Sequence, residues 1–185
     1  MARNVEIKAR IASVEALLPR ARSLADGSPE LITQDDTFFT CPRGRLKLRD
    51  FGDGSGELIQ YERADAAGPK TSTYVRSPTT SPATLRDALT RAFGQIGRVQ
   101  KQRTLLLAGR TRIHLDRVEG LGDFLELEVV LADGEPEAQG IAEARQLMAQ
   151  LGVLPEQLLE GAYLDLLGGV AATASSRGIA SARKS

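Results

Sequence analysis

The chain has 185 residues, 42% of them hydrophobic and 26% charged, which suits one hydrophobic core of ordinary size and predicts a single main domain. Its 24 Lys and Arg residues balance 24 Asp and Glu residues, so no overall field draws the surface to nucleic acid or to an anionic membrane. The single cysteine, Cys41, excludes an internal disulfide and a multi-cysteine zinc site. The charged N-terminus is unlike a secretion signal and no apolar run reaches about 18 residues, so we expect a cytoplasmic protein outside the membrane.

Hydrophobic periodicity predicts a strand, a helix and further strands in the first half of the chain. Residues 4–11 alternate strictly between polar and apolar, as a half-buried strand does. Ser13 is a favourable N-cap for a helix that ends before Gly27. Further strands are predicted at residues 36–41, 45–51, 57–63 and 72–76. The glycine-rich run at 52–56 is interpreted as a hairpin loop, because no βαβ context surrounds it to make a dinucleotide site.

The second half repeats this grouping of helices and strands. Ser81 and Pro82 supply an N-cap and a first-turn proline for a second helix. Strands are predicted at residues 98–107, 112–118 and 123–131. A third helix begins near Pro136, and Pro155 begins a short last helical segment. Residues 168–185 are Gly, Ala, Ser and Arg with few groups to bury, which predicts a disordered tail.

Several strands carry charges of one sign at alternate positions. Arg45, Lys47 and Arg49 are spaced by two, as are Glu126 and Glu128. For one strand alone, the simplest interpretation is a solvated outer face. Like charges side by side destabilise a sheet unless a group of opposite sign lies between them, so the whole set indicates a ligand. The other charged or polar residues with this alternation are Lys101, Arg103, Arg112, His114 and Asp116.

The apolar faces of the predicted helices decide on which side these charges lie. Their partner in the sheet is the apolar face that carries Ile7, Leu48 and Leu127. If the sheet curls and closes, which is feasible at roughly eight strands, the charged face becomes the interior of a barrel with helices outside. Lys and Arg bind phosphate oxygens through charge-assisted hydrogen bonds, and carboxylates hold Mg²⁺ or Mn²⁺. Such an interior suits a polyphosphate together with a divalent ion.

Several segments of the sequence together resemble one known family. They are residues 4–8, which are similar to an ExExK signature, and residues 45–49, 58–63, 101–103 and 114–128. In order and spacing they resemble the CYTH superfamily, the triphosphate tunnel metalloenzymes, which includes class IV adenylyl cyclases, thiamine triphosphatases and inorganic triphosphatases. The resemblance is greatest to the bacterial class IV cyclase-like branch. It implies one CYTH-like domain at residues 1–167, followed by the tail.

The resemblance implies an α+β fold in which a closed or nearly closed, eight-stranded antiparallel β-barrel forms a tunnel with a charged interior and helices outside. The implied triphosphate contacts are Lys8, Lys47, Arg49, Arg63, Lys101 and Arg103. The implied ligands of Mg²⁺ or Mn²⁺ are Glu6, Glu126 and Glu128, with Asp116 as a weaker candidate. The implied catalytic set is Glu6, Lys8, Glu126 and Glu128. Asn4 stands where the signature has its first Glu, which removes a charge that a second metal ion would need.

Three functions remain open at this stage. We favour hydrolysis of a small-molecule triphosphate, such as tripolyphosphate, ATP or thiamine triphosphate, because no residue set clearly holds a nucleobase. The alternatives are a class IV-type adenylyl cyclase, which converts ATP to cyclic AMP and pyrophosphate, and a module that binds polyphosphate or a nucleotide without turnover. His114 is interpreted as structural, and Tyr61 either packs in the core or stacks on a ligand ring. A homodimer is allowed by each interpretation.

Overall fold

The computed structural model describes residues 2–63 and 67–168 and shows a closed β-barrel with helices on its outer surface. The strands are β1 (Ala2–Arg10), β2 (Glu30–Phe39), β3 (Arg45–Asp50), β4 (Gly56–Arg63), β5 (Lys70–Thr79), β6 (Gln95–Ala108), β7 (Thr111–Val118) and β8 (Gly122–Val130). The helices are α1 (Val14–Leu24), α2 (Pro82–Phe93), α3 (Glu137–Leu151) and α4 at 163–168, with a 3-10 turn at Pro155–Gln157. The α+β barrel implied by the resemblance is confirmed. The tail predicted at 168–185 lies, beyond Gly168, outside the described residues.

The barrel is a ring of antiparallel neighbours in the order β1-β5-β4-β3-β2-β6-β7-β8. Strand β1 closes the ring, because it pairs with β5 on one side and with β8 on the other. Closure leaves the sheet without an edge strand. Since side chains alternate along each strand, one set enters the lumen and the other faces the helices.

The outward set of side chains is apolar and forms the main core. Ile7, Leu115 and Leu127 are buried against residues of α1 and α3. Leu48 packs with Leu89 of α2 in a separate cluster. The helices therefore cover the face that carries Ile7, Leu48 and Leu127, as predicted, and the charged face is turned inward.

Of the two serines predicted as helix N-caps, one makes a capping hydrogen bond and the other does not. The Ser13 hydroxyl accepts a hydrogen bond from the Ala16 amide at 3.1 Å, which confirms Ser13 as the N-cap of α1. Ser81 precedes Pro82 at the start of α2, but its side chain makes no capping hydrogen bond. Pro82 itself fits the first turn because its missing N–H has no partner there in any helix. None of the described helices is both long and apolar enough to cross a membrane.

The largest departure from the predicted elements is in β2. The strand begins at Glu30, not at Asp36, and continues the sheet beside β6. Its first residues lack the alternation that indicates a half-buried strand, because the outward Leu31 is exposed while the inward Gln34 is buried. The sequence therefore gave no signal for a residue of this strand in the lumen, and Asp36 was not predicted as a site residue.

Candidate functional site

The lumen of the barrel is a cavity of about 270 Å³ to which every strand contributes side chains. The cavity is lined by nearly all the site residues that the sequence predicted, namely Glu6, Lys8, Lys47, Arg49, Arg63, Lys101, Arg103, Glu126 and Glu128. Lys47 and Glu126, which lie on strands β3 and β8, thus share one cavity and not two separate outer surfaces. Asp116 is the exception, because it is fully buried behind the lining residues.

Two basic residues of β3, Lys47 and Arg49, are held by an aspartate of the neighbouring strand. Lys47 Nζ donates to Asp36 Oδ2 at 2.7 Å. Arg49 makes a two-point contact with the same carboxylate, from Nε to Oδ1 and from Nη2 to Oδ2, both at 2.8 Å. Burial opposes ionisation of Asp36, yet Arg49 and Lys47 outweigh it and lower its pKa below the usual range. We call Asp36, Lys47 and Arg49 the β3 clamp.

A second group repeats this arrangement on the other side of β2. Lys101 Nζ donates to Asp116 Oδ2 at 2.7 Å, and Arg103 contacts both oxygens of Asp116 at 2.7 and 2.6 Å. Tyr163 of α4 adds a fourth hydrogen bond to Asp116 at 3.1 Å. We call Asp116, Lys101 and Arg103 the β6 clamp. Because these bonds already engage both oxygens of Asp116, its role as a metal ligand stays a prediction that these contacts do not favour.

Replacing Asp116 by Asn is expected to destabilise the fold by about 3–5 kcal/mol, because Lys101 and Arg103 would stay buried without their compensating charge. A bound polyanion supplies such a charge, so saturating tripolyphosphate should raise the melting temperature of this variant more than that of the wild type. Urea unfolding and thermal melts measure both effects. The control is Asp35→Asn, which breaks a surface pair with Arg98 and should cost at most about 1 kcal/mol. Equal losses in the two variants would contradict the role assigned to Asp116.

The glutamates of the lumen lie on β1 and β8. Glu6 is opposite Glu128 and Lys8 is opposite Glu126 in the strand register. Glu126 contacts Lys8 Nζ at 3.2 Å and accepts from Arg103 Nη2 at 2.6 Å. Glu6 is engaged by Arg63. The lumen thus alternates cations and carboxylates, which reduces the repulsion within each set.

The carboxylates of Glu126 and Glu128 fit a hard divalent ion by their chemistry. Burial alone would raise the pKa of Glu128, but His114 when protonated, then Arg112 and Arg103, lower it to about 2. Lys101, Lys8 and Arg103 likewise outweigh burial and hold the pKa of Glu126 well below its usual range. Both side chains are therefore ionised at neutral pH, and charged carboxylate oxygens are the ligands that Mg²⁺ and Mn²⁺ take.

His114 lies beside the carboxylates of Glu126 and Glu128. One ligand atom each from His114, Glu126 and Glu128 lies within 4.8 Å of the others. Burial lowers the pKa of the imidazole and the charge of Arg103 lowers it further, so its neutral form is favoured. Among the described His, Cys, Asp and Glu residues, the group that could hold an ion is thus His114 with Glu126 and Glu128, and it does not include Glu6. A ligand role for Glu6 stays a prediction.

The segment before α4 covers part of the lumen and was not predicted as part of the site. Gly161 O accepts hydrogen bonds from Lys8 Nζ at 3.2 Å and Arg63 Nη2 at 2.9 Å. The Tyr163 ring lies 3.9 Å from Lys8 Nζ and 4.8 Å from Lys101 Nζ. Burial, followed by the charge of Asp116, raises the pKa of Tyr163, so its hydroxyl keeps the proton that it donates. No short motif marks this segment, because its partners lie at least 47 residues away in the chain.

Apolar side chains share the cavity with these charges. Tyr61 lines it with its ring 5.7 Å from Lys47 Nζ and 5.7 Å from the Arg63 guanidinium carbon, so it packs beside the cations. Its stacking on a ligand ring stays a prediction. The other apolar lining residues are Ile32, Phe38, Phe51, Ile59, Val99 and Leu105. Ligand pockets of this mixed kind combine a few polar anchors with an apolar wall.

The fold and its lining define a closed antiparallel barrel whose lumen combines two cationic clamps with clustered carboxylates. The family model of the CYTH domain matches residues 2–163, so the chain belongs to the CYTH family, as the sequence resemblance indicated. A search of curated proteins gave no match.

Solved structures with the same fold come from archaea, bacteria and plants. A protein of Pyrococcus horikoshii is 22% identical and superimposes with a TM-score of 0.79 over 89% of this chain and 99% of its own. A candidate adenylate cyclase of Vibrio parahaemolyticus is 19% identical, with a TM-score of 0.72 over 89% of this chain and 97% of its own. A candidate adenylyl cyclase of Hippeastrum, described as having a dominant triphosphatase activity, is 16% identical, with a TM-score of 0.57 over 83% of this chain and 89% of its own.

Proposed function

We propose that the chain is a metal-dependent enzyme that hydrolyses a small-molecule triphosphate. The observation that carries the proposal is that the β3 clamp and the two cations of the β6 clamp, Lys101 and Arg103, share one cavity with Glu126 and Glu128. A triphosphate has several closely spaced negative charges, and charge-assisted hydrogen bonds from Lys and Arg are among the strongest that proteins make. Membership of the CYTH family supports this substrate class.

The chain's own residues contribute binding and orientation. Lys47, Arg49, Lys101 and Arg103 hold phosphate oxygens, and Lys8 and Arg63 extend the cationic surface toward Glu6 and Glu126. Glu126 and Glu128, with Glu6 as a further candidate, would hold a divalent ion, Mg²⁺ or Mn²⁺. When bound, that ion neutralises charge on the phosphate oxygens.

Glu126 and Glu128 are poor candidates for a general base. The charges around them lower the pKa of Glu128 to about 2 and that of Glu126 well below its usual range, so both accept protons weakly at neutral pH. Phosphoryl transfer depends mainly on positioning and charge compensation, which the lumen supplies. Glu6, Lys8, Glu126 and Glu128 remain the proposed catalytic set, in which Glu126 and Glu128 act through orientation and charge.

Adenylyl cyclase activity is the second candidate. It requires a nucleoside held beside the phosphates, and the apolar lining that includes Phe38, Ile59 and Leu105 offers a surface for one. The similarity to the Vibrio parahaemolyticus protein supports the same alternative. The Hippeastrum protein, with its dominant triphosphatase activity, supports hydrolysis. We favour hydrolysis because Lys47, Arg49, Lys101 and Arg103 match the charges of a phosphate chain.

Product analysis separates the candidates. The purified protein is incubated with tripolyphosphate, ATP or thiamine triphosphate, with Mg²⁺ or Mn²⁺ and with a chelator as the control. Metal-dependent release of orthophosphate is the expected result. Formation of cyclic AMP and pyrophosphate from ATP would establish the cyclase instead, and tight binding without any product would establish a binding module.

Binding of tripolyphosphate is expected to weaken as the pH rises through 8. Burial, then Arg49, lowers the pKa of Lys47 to about 8 although Asp36 opposes the shift. Above that pH Lys47 loses its proton and its attraction for an anion, so affinity should fall by up to about tenfold per pH unit. Calorimetric titration without metal, from about pH 7 to about pH 9.5, measures this change in affinity across the pKa of Lys47. Lys47→Arg keeps its charge over this interval and should flatten the profile, whereas identical profiles would refute the assignment.

A further inference from the structure

The imidazole of His114 is buried and faces the two carboxylates of β8. The side chain is 3% exposed and lies opposite Glu126 in the register of β7 and β8. Nδ1 is 3.9 Å from Glu126 Oε2 and 3.8 Å from Glu128 Oε1. It has no hydrogen-bond partner among the described residues. A buried polar atom without a partner is unfavourable, so this nitrogen calls for an explanation.

A shared cation explains the distances better than a hydrogen bond does. Hydrogen bonds from nitrogen to oxygen have lengths of about 2.7–3.2 Å, and both contacts of His114 Nδ1 exceed that range. Two donor atoms that each lie about 2.1 Å from one ion are separated by roughly 3–4 Å, depending on the angle between them. The separations of Nδ1 from Glu126 and Glu128 fall in that range.

We propose that His114 is a direct ligand, through Nδ1, of a divalent ion held by Glu126 and Glu128, and that this nitrogen makes the site prefer first-row transition ions to Mg²⁺. The inference takes the divalent ion from the proposed function. It assigns to the imidazole a role that neither the charge pattern of the strands nor the triphosphate clamps require.

The expected preference follows from the chemistry of the donors. Mg²⁺ takes oxygen ligands in near-octahedral geometry and keeps several waters, so an imidazole adds little to its binding. Imidazole nitrogen suits transition ions, whose affinities for such sites rise from Mn²⁺ to Co²⁺ and beyond. A histidine binds such an ion through the lone pair of a ring nitrogen, and His114 Nδ1 has no hydrogen bond that would occupy it among the described residues.

The chain offers an unusually clear test because His114 is its only histidine. Full-length protein without an affinity tag is loaded with Mn²⁺, and electron spin echo envelope modulation detects nitrogen bound to the ion. We expect an imidazole ¹⁴N modulation that changes to the ¹⁵N pattern when the protein is made with ¹⁵N-histidine. Bound Mn²⁺ that shows no nitrogen modulation, or no Mn²⁺ binding at all, would overturn the inference.

Affinity measurements on a variant give an independent readout. His114→Gln should weaken Co²⁺ binding by at least about tenfold, since even groups that only orient a metal ligand are worth that much. Mg²⁺ affinity should stay within about threefold of the wild type, because its oxygen ligands remain. Arg117→Gln is the matched control, since Arg117 is exposed on the same strand and pairs with Glu15. An equal loss for both ions would mean that His114 only supports the carboxylates, which contradicts the inference.

The two hypotheses fail in different ways. Metal-dependent phosphate release by a protein whose bound Mn²⁺ shows no nitrogen modulation would refute the role of His114 and leave the proposed function intact. Nitrogen-bound Mn²⁺ in a protein that releases no phosphate from any triphosphate would refute the proposed hydrolysis and retain the ligand assignment.

Discussion

Replacing Glu126 and Glu128 together by Gln is expected to remove the dependence on divalent ions and to lower activity by on the order of a thousandfold. Such a loss corresponds to the several kcal/mol that a metal ion contributes to charge stabilisation in phosphoryl transfer. Gln has nearly the same shape as Glu, so the fold should remain, but Lys8, Arg103 and Arg112 each lose a charged partner. A modest loss of stability is therefore expected as well.

The measurement is steady-state phosphate release over a range of Mg²⁺ and Mn²⁺ concentrations, with a thermal melt of each variant. Glu119→Gln is the control, because Glu119 is an exposed residue in the turn before β8 and should leave both rate and metal requirement unchanged. Full activity of the double variant at an unchanged metal requirement would show that these two carboxylates are not ligands.

Removing one arginine from a clamp is expected to weaken tripolyphosphate binding by roughly ten- to more than a hundredfold. A hydrogen bond to a charged group contributes about 1.5–3 kcal/mol net, and each 1.4 kcal/mol is about a factor of ten in affinity. Arg49→Ala tests the β3 clamp and Arg103→Ala tests the β6 clamp. Because one polyphosphate chain contacts several cations at once, orthophosphate should bind far more weakly than tripolyphosphate to the wild type.

Calorimetric titration without metal separates this binding from turnover, and thermal melts verify that each variant is folded. Arg98→Ala is the matched control, since Arg98 lies on β6 with Arg103 but pairs with Asp35 at the exposed surface. Its effect should be small and should vanish at high salt. If Arg49→Ala and Arg103→Ala both bind within about twofold of the wild type, the clamps do not hold the phosphates, and the proposed function loses its main support.

The features of the fold that could be predicted are the strands in which polar and apolar residues alternate. Over residues 4–11, 45–49 and 125–129, polar and apolar residues alternate strictly, so the parity of Lys8, Lys47 and Glu126 indicates which side chains share a face. The helical stripes then required the apolar face to be outside, which left the charges in the lumen. The alternation therefore sufficed to predict which side chains share a face, whereas the closed eight-stranded barrel was implied by the family resemblance.

The partners of those charges could not be predicted, because they depend on the register between strands. Asp36 lies opposite Arg49 only because β2 and β3 pair in one particular alignment, which the weak pattern at the start of β2 does not reveal. His114 shares a predicted strand face with Arg112 and Asp116, but a lone histidine is interpreted as structural, and its approach to Glu126 follows only from the pairing of β7 with β8. Tyr163 reaches the lumen through a helix that no motif marks.

The two-point contact between arginine and aspartate in each clamp orders the arginine side chain before a ligand binds. Arg49 uses Nε and Nη2 for Asp36, and Arg103 uses the same two groups for Asp116. A guanidinium has about five N–H donors, so each arginine is fixed in orientation by its aspartate and still has donors to give. A phosphate chain can therefore add hydrogen bonds to guanidinium groups that are already ordered. Binding then costs little side-chain entropy, which favours both tight association and one defined position of the chain between the clamps.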